Sequence, residues 1–197
     1  TISSPTTPTS LSVAGLIGVT YKAYAVDYAG NLSSASSTIV NVDSTMPTIT
    51  SVAITGDSGK QNNFLNAGDN VTITVNYSET VTLDNASGNP ILTIVVGSTD
   101  RQATYISGSN SDNLTFRYTI QAAENDSDGI SIGADALDLP GSSTLKDSVG
   151  NIAALTHNAV SHNPEYKVDT TAPSVNSFTI SDALLTVGET ATVTLVF

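Results

Sequence analysis

Three short segments of the chain occur twice, in the same order and at nearly constant spacing. The pairs are residues 42–47 (VDSTMP) with 168–173 (VDTTAP), 27–31 (DYAGN) with 147–151 (DSVGN), and 67–77 with 187–197. The first pair is 126 residues apart, and the other two are 120 residues apart. A period of this length is close to that of one β-sandwich domain, about 100 residues. The repeat therefore restricts the chain to tandem copies of one unit.

The phase of the repeat predicts where the units begin and end. Residues 1–45 match only the last part of a unit, and residues 171–197 match only its first part. We therefore expect a complete central unit at 46–170. It is preceded by the C-terminal strands of one domain and followed by the N-terminal strands of the next. On this interpretation the 197 residues are a segment of a longer array.

Apolar and polar residues alternate along most of the chain. The alternation is clearest at 71–77 (VTITVNY) and 114–120 (LTFRYTI), and it is typical of strands with one buried and one solvated face. Runs such as ASGNP at 86–90 and SGSN at 107–110 supply turns between these segments. Many short strands with frequent turns predict an all-β fold of antiparallel β-sandwiches.

The charge balance and the absence of cysteine exclude several classes of protein. Six Lys and Arg against 18 Asp and Glu give a net charge of −12, which opposes binding to nucleic acid. The same charge opposes attachment to anionic lipid, and no apolar run approaches the roughly 18 residues of a membrane span. Without cysteine, neither a disulfide nor a thiolate metal site can form.

A set of short motifs accompanies the repeat. It comprises the linker at 168–173 with the Asp-x-x-Gly-Asn turn before it, the strand end YSE at 77–79, GNPIL at 88–92 and YISGS at 105–109. Together these motifs resemble the bacterial Ig-like repeats of very large secreted, RTX-type cell-surface adhesins. Residues 1–45 also resemble the closing strands of a fibronectin type III-like domain. The resemblance implies tandem Ig-like, Greek-key β-sandwich domains.

The resemblance also implies a location and a function. Such repeats form an extracellular stalk on the bacterial cell surface, and other domains bind the host or surface ligands. The partners of each unit are then its neighbours in the same chain, and structural calcium at the linkers stiffens the rod. The sequence offers a physical reason, because acidic groups on both sides of a short linker repel each other unless a divalent cation bridges them.

Four acidic residues near the junctions are candidate calcium ligands. Asp43 and Asp169 lie in the repeated linkers, Glu79 ends a predicted strand, and Asp147 begins the Gly-Asn turn. Calcium prefers about six to eight oxygen ligands, which carboxylates and carbonyls supply. The alternative is that each Asp only stabilises a turn by accepting hydrogen bonds from nearby backbone amides.

The acidic loop at 124–129 (ENDSDG) is the second candidate metal site. Glu124, Asp126 and Asp128 take alternate positions before a Gly, as in the first half of an EF-hand loop, and Asp135 stands where the last ligand would be. The loop departs from that motif because Glu comes first, Asp comes last and no helices flank it. It is either a simpler Asp-x-Asp-Gly calcium loop or a solvated loop whose charge keeps the chain soluble.

The sequence gives little support for an enzyme. His157 and His162 stand in a polar stretch, and the chain has no nucleophile elbow, zinc-binding helix motif or phosphate-binding glycine loop. We therefore expect no catalytic activity. Two alternatives to a spacer remain open. The central unit binds a glycan or a protein through its loops, or the partial units assemble copies of the chain by strand complementation.

Overall fold

The computed structural model describes residues 16–197, which form strands joined by turns and loops. The strands are β1 (Thr20–Lys22), β2 (Ile39–Asn41), β3 (Ile49–Ser58), β4 (Phe64–Leu65), β5 (Asn70–Asp84), β6 (Ile91–Val96), β7 (Thr99–Ser107), β8 (Ser111–Thr119), β9 (Asn125–Asp126), β10 (Leu137–Asp138), β11 (Thr144–Lys146), β12 (Lys167–Asp169), β13 (Ser177–Ile180) and β14 (Val193–Val196). None of the described residues belongs to a helix that could cross a membrane. The prediction of an all-β fold is confirmed.

The largest sheet lies in the central unit, and its strand pairs are antiparallel. Its strands follow the order β10-β6-β7-β8-β5, and the second edge of β5 is shared by β3 and β11. β3 pairs along residues 70–77 of β5, and β11 pairs with residues 82–84. Register shifts in the β3–β5 and β5–β8 ladders bend the strands, so the sheet curls. This architecture is consistent with a β-sandwich.

The core follows the alternation of β5 and β8. The odd-numbered residues 71–77 of β5 are buried, and the first three of them lie opposite the even-numbered residues 114–118 of β8. At the centre, Ile73 faces Phe116, and both side chains are fully buried. The ring of Tyr105 on β7 meets Phe116 edge-on, with 6.0 Å between the ring centroids. Each such side chain contributes about 1.5–3 kcal/mol to stability by leaving water.

A small three-stranded sheet joins the beginning of the central unit to its end. β12 lies between β4, with which it pairs in parallel, and β9, with which it pairs antiparallel. Leu65 of β4 lies opposite Val168 of β12, and both are buried. The last residues of the unit are therefore fixed to residues about 100 positions earlier in the sequence.

Backbone ladders outside the named strands extend the curled sheet beyond β6. Val95 and Ser131 exchange backbone hydrogen bonds, and Ile132 and Val160 do the same. Ala136 also accepts a hydrogen bond from the backbone of β6. Residues 131–136 and then 157–160 therefore continue the sheet as two further rows.

Two hairpin-like pairs lie outside the central unit. β1 pairs with β2, and β13 pairs with β14, both antiparallel. Their apolar side chains are largely exposed, as Phe178 at 63 % and Leu195 at 48 % illustrate. The described parts of the segments that match the two ends of the central unit, residues 16–45 and 171–197, thus form strands without a buried core of their own.

Candidate metal centre

Three of the predicted ligands from the linker region meet in space. One carboxylate oxygen each from Asp43, Glu79 and Asp147 lies within 4.8 Å of the other two. Asp43 follows β2 in the linker, Glu79 lies on β5, and Asp147 comes directly after β11. We call these three residues the junction cluster. It joins the linker to two elements of the central unit that are far apart in the sequence.

Asp147 is held by its own turn. Its Oδ1 accepts hydrogen bonds from the backbone N–H groups of Val149, Gly150 and Asn151 at 2.9, 2.7 and 2.8 Å, and its Oδ2 accepts one from Asn151 Nδ2 at 2.7 Å. Gly150 has φ of +103°, a conformation that favours glycine. Burial opposes ionisation of Asp147, but these hydrogen bonds prevail and lower its pKa. Asp147 therefore stays charged to lower pH than an ordinary Asp.

Glu79 occupies an inward-facing position on β5. The buried residues of this strand are odd-numbered, from Val71 to Val81, so position 79 points to the same side as the core. Its burial, and then the negative charges of Asp43 and Asp147, raise the pKa of Glu79. The junction cluster is thus a site of like-charge repulsion that a bound cation would relieve.

Asp43 connects the linker to the turn. Its Oδ1 accepts a hydrogen bond from Thr45 N–H at 2.9 Å, and its backbone carbonyl accepts one from Asn151 Nδ2 at 3.2 Å. Asn151 therefore donates to both Asp43 and Asp147. The side-chain amide of Asn151 therefore holds the candidate ligands Asp43 and Asp147 near each other by hydrogen bonds within the protein.

The repeated segments share local geometry as well as sequence. In the turn at 27–31, Asp27 Oδ1 accepts hydrogen bonds from Ala29 and Asn31 N–H, and Asp27 Oδ2 accepts one from Asn31 Nδ2. The hydrogen bond from Asn31 Nδ2, followed by those from the backbone, lowers the pKa of Asp27. Asp169 likewise accepts from Thr171 N–H at 2.9 Å, as Asp43 does from Thr45. In both copies of the turn and of the linker, the Asp side chain thus accepts hydrogen bonds from nearby backbone amides, as the turn-stabilising alternative predicts.

Asp169 lies apart from the junction cluster. It ends β12 and is paired with Asn125 of β9, and its side chain is exposed. Asn125 Oδ1 accepts a hydrogen bond from Thr170 N–H at 3.2 Å. The structure therefore places Asp169 beside the acidic loop, and among the described residues it belongs to no cluster of three or more candidate metal ligands.

The acidic loop contributes a second cluster, which contains a residue that the sequence did not single out as a ligand. Asp126, Asp128 and His162 each direct one ligand atom to within 4.8 Å of the others. Both carboxylate oxygens of buried Asp126 already accept hydrogen bonds from the backbone, Oδ1 from Gly129 N–H at 2.7 Å and Oδ2 from Gly97 N–H at 2.8 Å. Asp128 and His162 are exposed, and His162 Nδ1 lies 3.4 Å from Asp128 Oδ2. The cluster is mainly a hydrogen-bonded loop.

Glu124 points away from the other acids of its loop. It is 5 % exposed, and its Oε1 accepts hydrogen bonds from Arg101 Nε and from Tyr118 Oη, the latter at 2.6 Å. Its Oε2 accepts from Gln121 N–H at 2.8 Å. Burial and the hydrogen bond to Glu124 raise the pKa of Tyr118 to about 12. Glu124 acts here as a buried partner of β7 and β8 rather than as a free ligand.

The three comparisons with known proteins returned no match. No family model, no curated protein and no solved structure is similar to the chain.

Proposed function

We propose that the chain is a structural spacer segment of a bacterial cell-surface adhesin, exposed outside the cell and built from tandem Ig-like domains. Residues 46–170 form the complete domain, and 1–45 and 171–197 belong to its two neighbours. Calcium at the linker stiffens the array. The repeat, the all-β fold and the net charge of −12 support this proposal.

The observation that carries the proposal is the junction cluster. A linker residue, Asp43, meets Glu79 and Asp147 of the central unit, so a cation bound here would fix the linker to the domain. All three ligands are carboxylates, which suit a hard cation such as calcium better than a transition metal. Neighbouring carbonyls and water would supply the remaining oxygen ligands. Extracellular modules bind calcium with dissociation constants of about 10⁻⁴–10⁻³ M.

Nuclear magnetic resonance relaxation tests whether calcium stiffens the junction. The ¹⁵N-labelled full chain is measured in about 10 mM calcium and again in excess chelator. We expect the amides of residues 27–43 to share the rotational correlation time of the central unit in calcium and to move faster without it. Glu79→Gln should remove this difference, whereas the control Asp128→Asn should retain it. Identical relaxation in calcium and chelator would contradict the proposal.

Self-assembly is a second candidate function, favoured by the exposed apolar residues outside the central unit. In that unit, Leu65 of β4 is buried against β12, but Leu185, its counterpart in the repeat, is 48 % exposed. The β12 counterpart at residues 41–43 of a second copy would cover Leu185. Size-exclusion chromatography over a wide concentration range checks this, because assembly requires elution volume to fall as concentration rises. A monomer at every concentration would rule it out.

A further inference from the structure

The curled sheet of the central unit is closed around most of its circumference. From β3 the rows run through β5, β8, β7 and β6, then to residues 131–136 and finally to 157–160. The segments that lead into the last and first rows meet where Ala154 N–H donates a hydrogen bond to the carbonyl of Pro47 at 2.8 Å. Beyond that point the two rows separate.

The separation leaves a cleft of about 560 Å³, which we call the seam. One wall is the edge of β3 at 49–52, and the other consists of 156–160 with Ala134 and Asp135. Its volume is within the range of about 300–1,000 Å³ that is typical of ligand clefts. Within residues 16–197, no strand fills the seam between these two walls.

Both walls offer backbone groups for hydrogen bonding. Among the described strands, β3 pairs only with β5, so its alternate N–H and C=O groups point to the other edge, toward the seam. On the opposite wall, the N–H and C=O of Ala159 have no partner among residues 16–197. An occupant that offers donors and acceptors along two edges would satisfy both walls, which is a property of an extended peptide strand.

The direction of the walls favours one orientation. The chain runs away from the Ala154–Pro47 contact on both sides as residue numbers increase, so the two rows are parallel to each other. A strand inserted between them in the opposite direction would form two antiparallel ladders, the slightly more stable arrangement.

One wall is held in shape by His157 and Asp135. His157 N–H donates to Asp135 Oδ1 at 2.9 Å, and Asp135 N–H donates to the His157 carbonyl at 3.1 Å. The imidazole Nε2 accepts a hydrogen bond from Ala136 N–H at 2.9 Å, and its Nδ1 lies 2.8 Å from the carbonyl oxygen of Asn158. Asp135 is the acidic residue that lines the seam, and the whole chain has a net charge of −12. An acidic occupant is therefore disfavoured.

We infer that the seam is a docking site for one extended peptide strand, uncharged or basic, that pairs antiparallel with β3 and with residues 156–160. Peptide binding there needs neither calcium nor a spacer function, so this inference and the proposed function can fail separately.

Peptide titration into the ¹⁵N-labelled full chain tests the inference. The probe is a synthetic peptide of alternating Thr and Val that ends in two lysines. We expect amide shift changes at 49–52 and 156–160, and no binding by the same peptide N-methylated at alternate residues, which cannot form the ladders. A version ending in two glutamates should bind more weakly. Chitohexaose and maltohexaose, titrated in parallel, should leave these amides unchanged.

Two substitutions locate the binding. Ala159→Pro removes an N–H from the seam wall and should reduce peptide affinity at least tenfold, whereas the matched Ala159→Val keeps the N–H and the affinity. Asp135→Asn keeps the acceptor for His157 but removes the charge, so the preference for lysine over glutamate should fall about two- to fivefold. The inference is overturned if the peptide leaves the seam amides unchanged at millimolar concentration, if the N-methylated peptide binds equally well, or if an oligosaccharide binds there instead.

Discussion

Two antiparallel strand pairs of the chain, β3–β5 and β13–β14, have the same register but differ in how far their side chains are buried. In β3–β5, Ile54 lies opposite Ile73, and in β13–β14, Ile180 lies opposite Val193 at the equivalent place in the repeat. Ile73 is fully buried, whereas Val193 is 50 % exposed. Alternation of apolar and polar residues is therefore enough to set the pairing of two strands, and it is not enough to bury them.

The difference lies in what covers the second strand. β5 is paired on its other edge with β8, which brings Leu114 and Phe116 opposite Val75 and Ile73. β14 has no such neighbour among the described residues. The burial of apolar side chains in the β3–β5 pair thus depends on β8, a strand that begins about 40 residues after the start of β5.

The largest test of this comparison is a matched pair of truncations. Ile73→Ala should lower the free energy of unfolding of the central unit by about 2–5 kcal/mol, because it opens a cavity in a packed core. Val193→Ala removes a half-exposed side chain and should change that free energy by less than about 0.5 kcal/mol. Urea denaturation of both variants checks the contrast, and equal effects would break it.

A smaller test uses two tyrosines of the core. Tyr77, whose counterpart in the repeat is Phe197, directly after β14, has a buried hydroxyl with no hydrogen-bond partner among the described residues, whereas the Tyr118 hydroxyl donates to Glu124. Tyr118→Phe should destabilise the central unit by about 1.5–3 kcal/mol through loss of a hydrogen bond to a charged group. Tyr77→Phe, which gives β5 the residue that the repeat has at 197, should be neutral or stabilising by up to about 1 kcal/mol. A strongly destabilising Tyr77→Phe would show that its hydroxyl is satisfied in solution.

The dependence of stability on alkaline pH is a further test of the buried tyrosines, and their ionisation does not affect stability at neutral pH. Burial raises the pKa of both tyrosines, that of Tyr118 to about 12. A raised tyrosine pKa stabilises the neutral, folded form below the ordinary value of about 10, and this contribution disappears as pH rises through the folded value. Stability should therefore fall between pH 10 and 12, and less steeply in Tyr118→Phe. Urea midpoints across this range measure the slope, and equal slopes in both proteins would contradict the assignment.

Much of the fold could be predicted from local patterns. The alternation at 71–77 and 114–120 indicated strands with one buried face, and β5 and β8 bury those residues. Which strands become neighbours was not predictable in this way. The β4–β12 pair joins Leu65 to Val168 across most of the central unit, and strands of two and three residues are too short to show an alternating pattern of their own.

The candidate site shows the same division between local and long-range information. Asp147 could be found from the sequence because Asp-x-x-Gly-Asn is a local motif. Glu79 was predicted to end a strand, and that position was wrong, because β5 continues to Asp84. The separation of Glu124 from Asp126 and Asp128 depends on Arg101, a residue of β7 that only the folded chain brings close. His162 likewise reaches Asp128 through tertiary structure, and position in the sequence gave no signal for it.

The most direct test of the proposed calcium junction is thermal unfolding of the full chain in calcium and in chelator. Saturating calcium at about a hundred times its dissociation constant should add about 2.7 kcal/mol, which is a rise in Tm of roughly 5–10 °C. Because the pKa of Glu79 is raised, its charge is unfavourable without metal, so Glu79→Gln should raise Tm slightly in chelator and remove the calcium increment. Asp128→Asn should keep the full increment. A Tm that calcium leaves unchanged, or an increment that survives Glu79→Gln, would contradict the account.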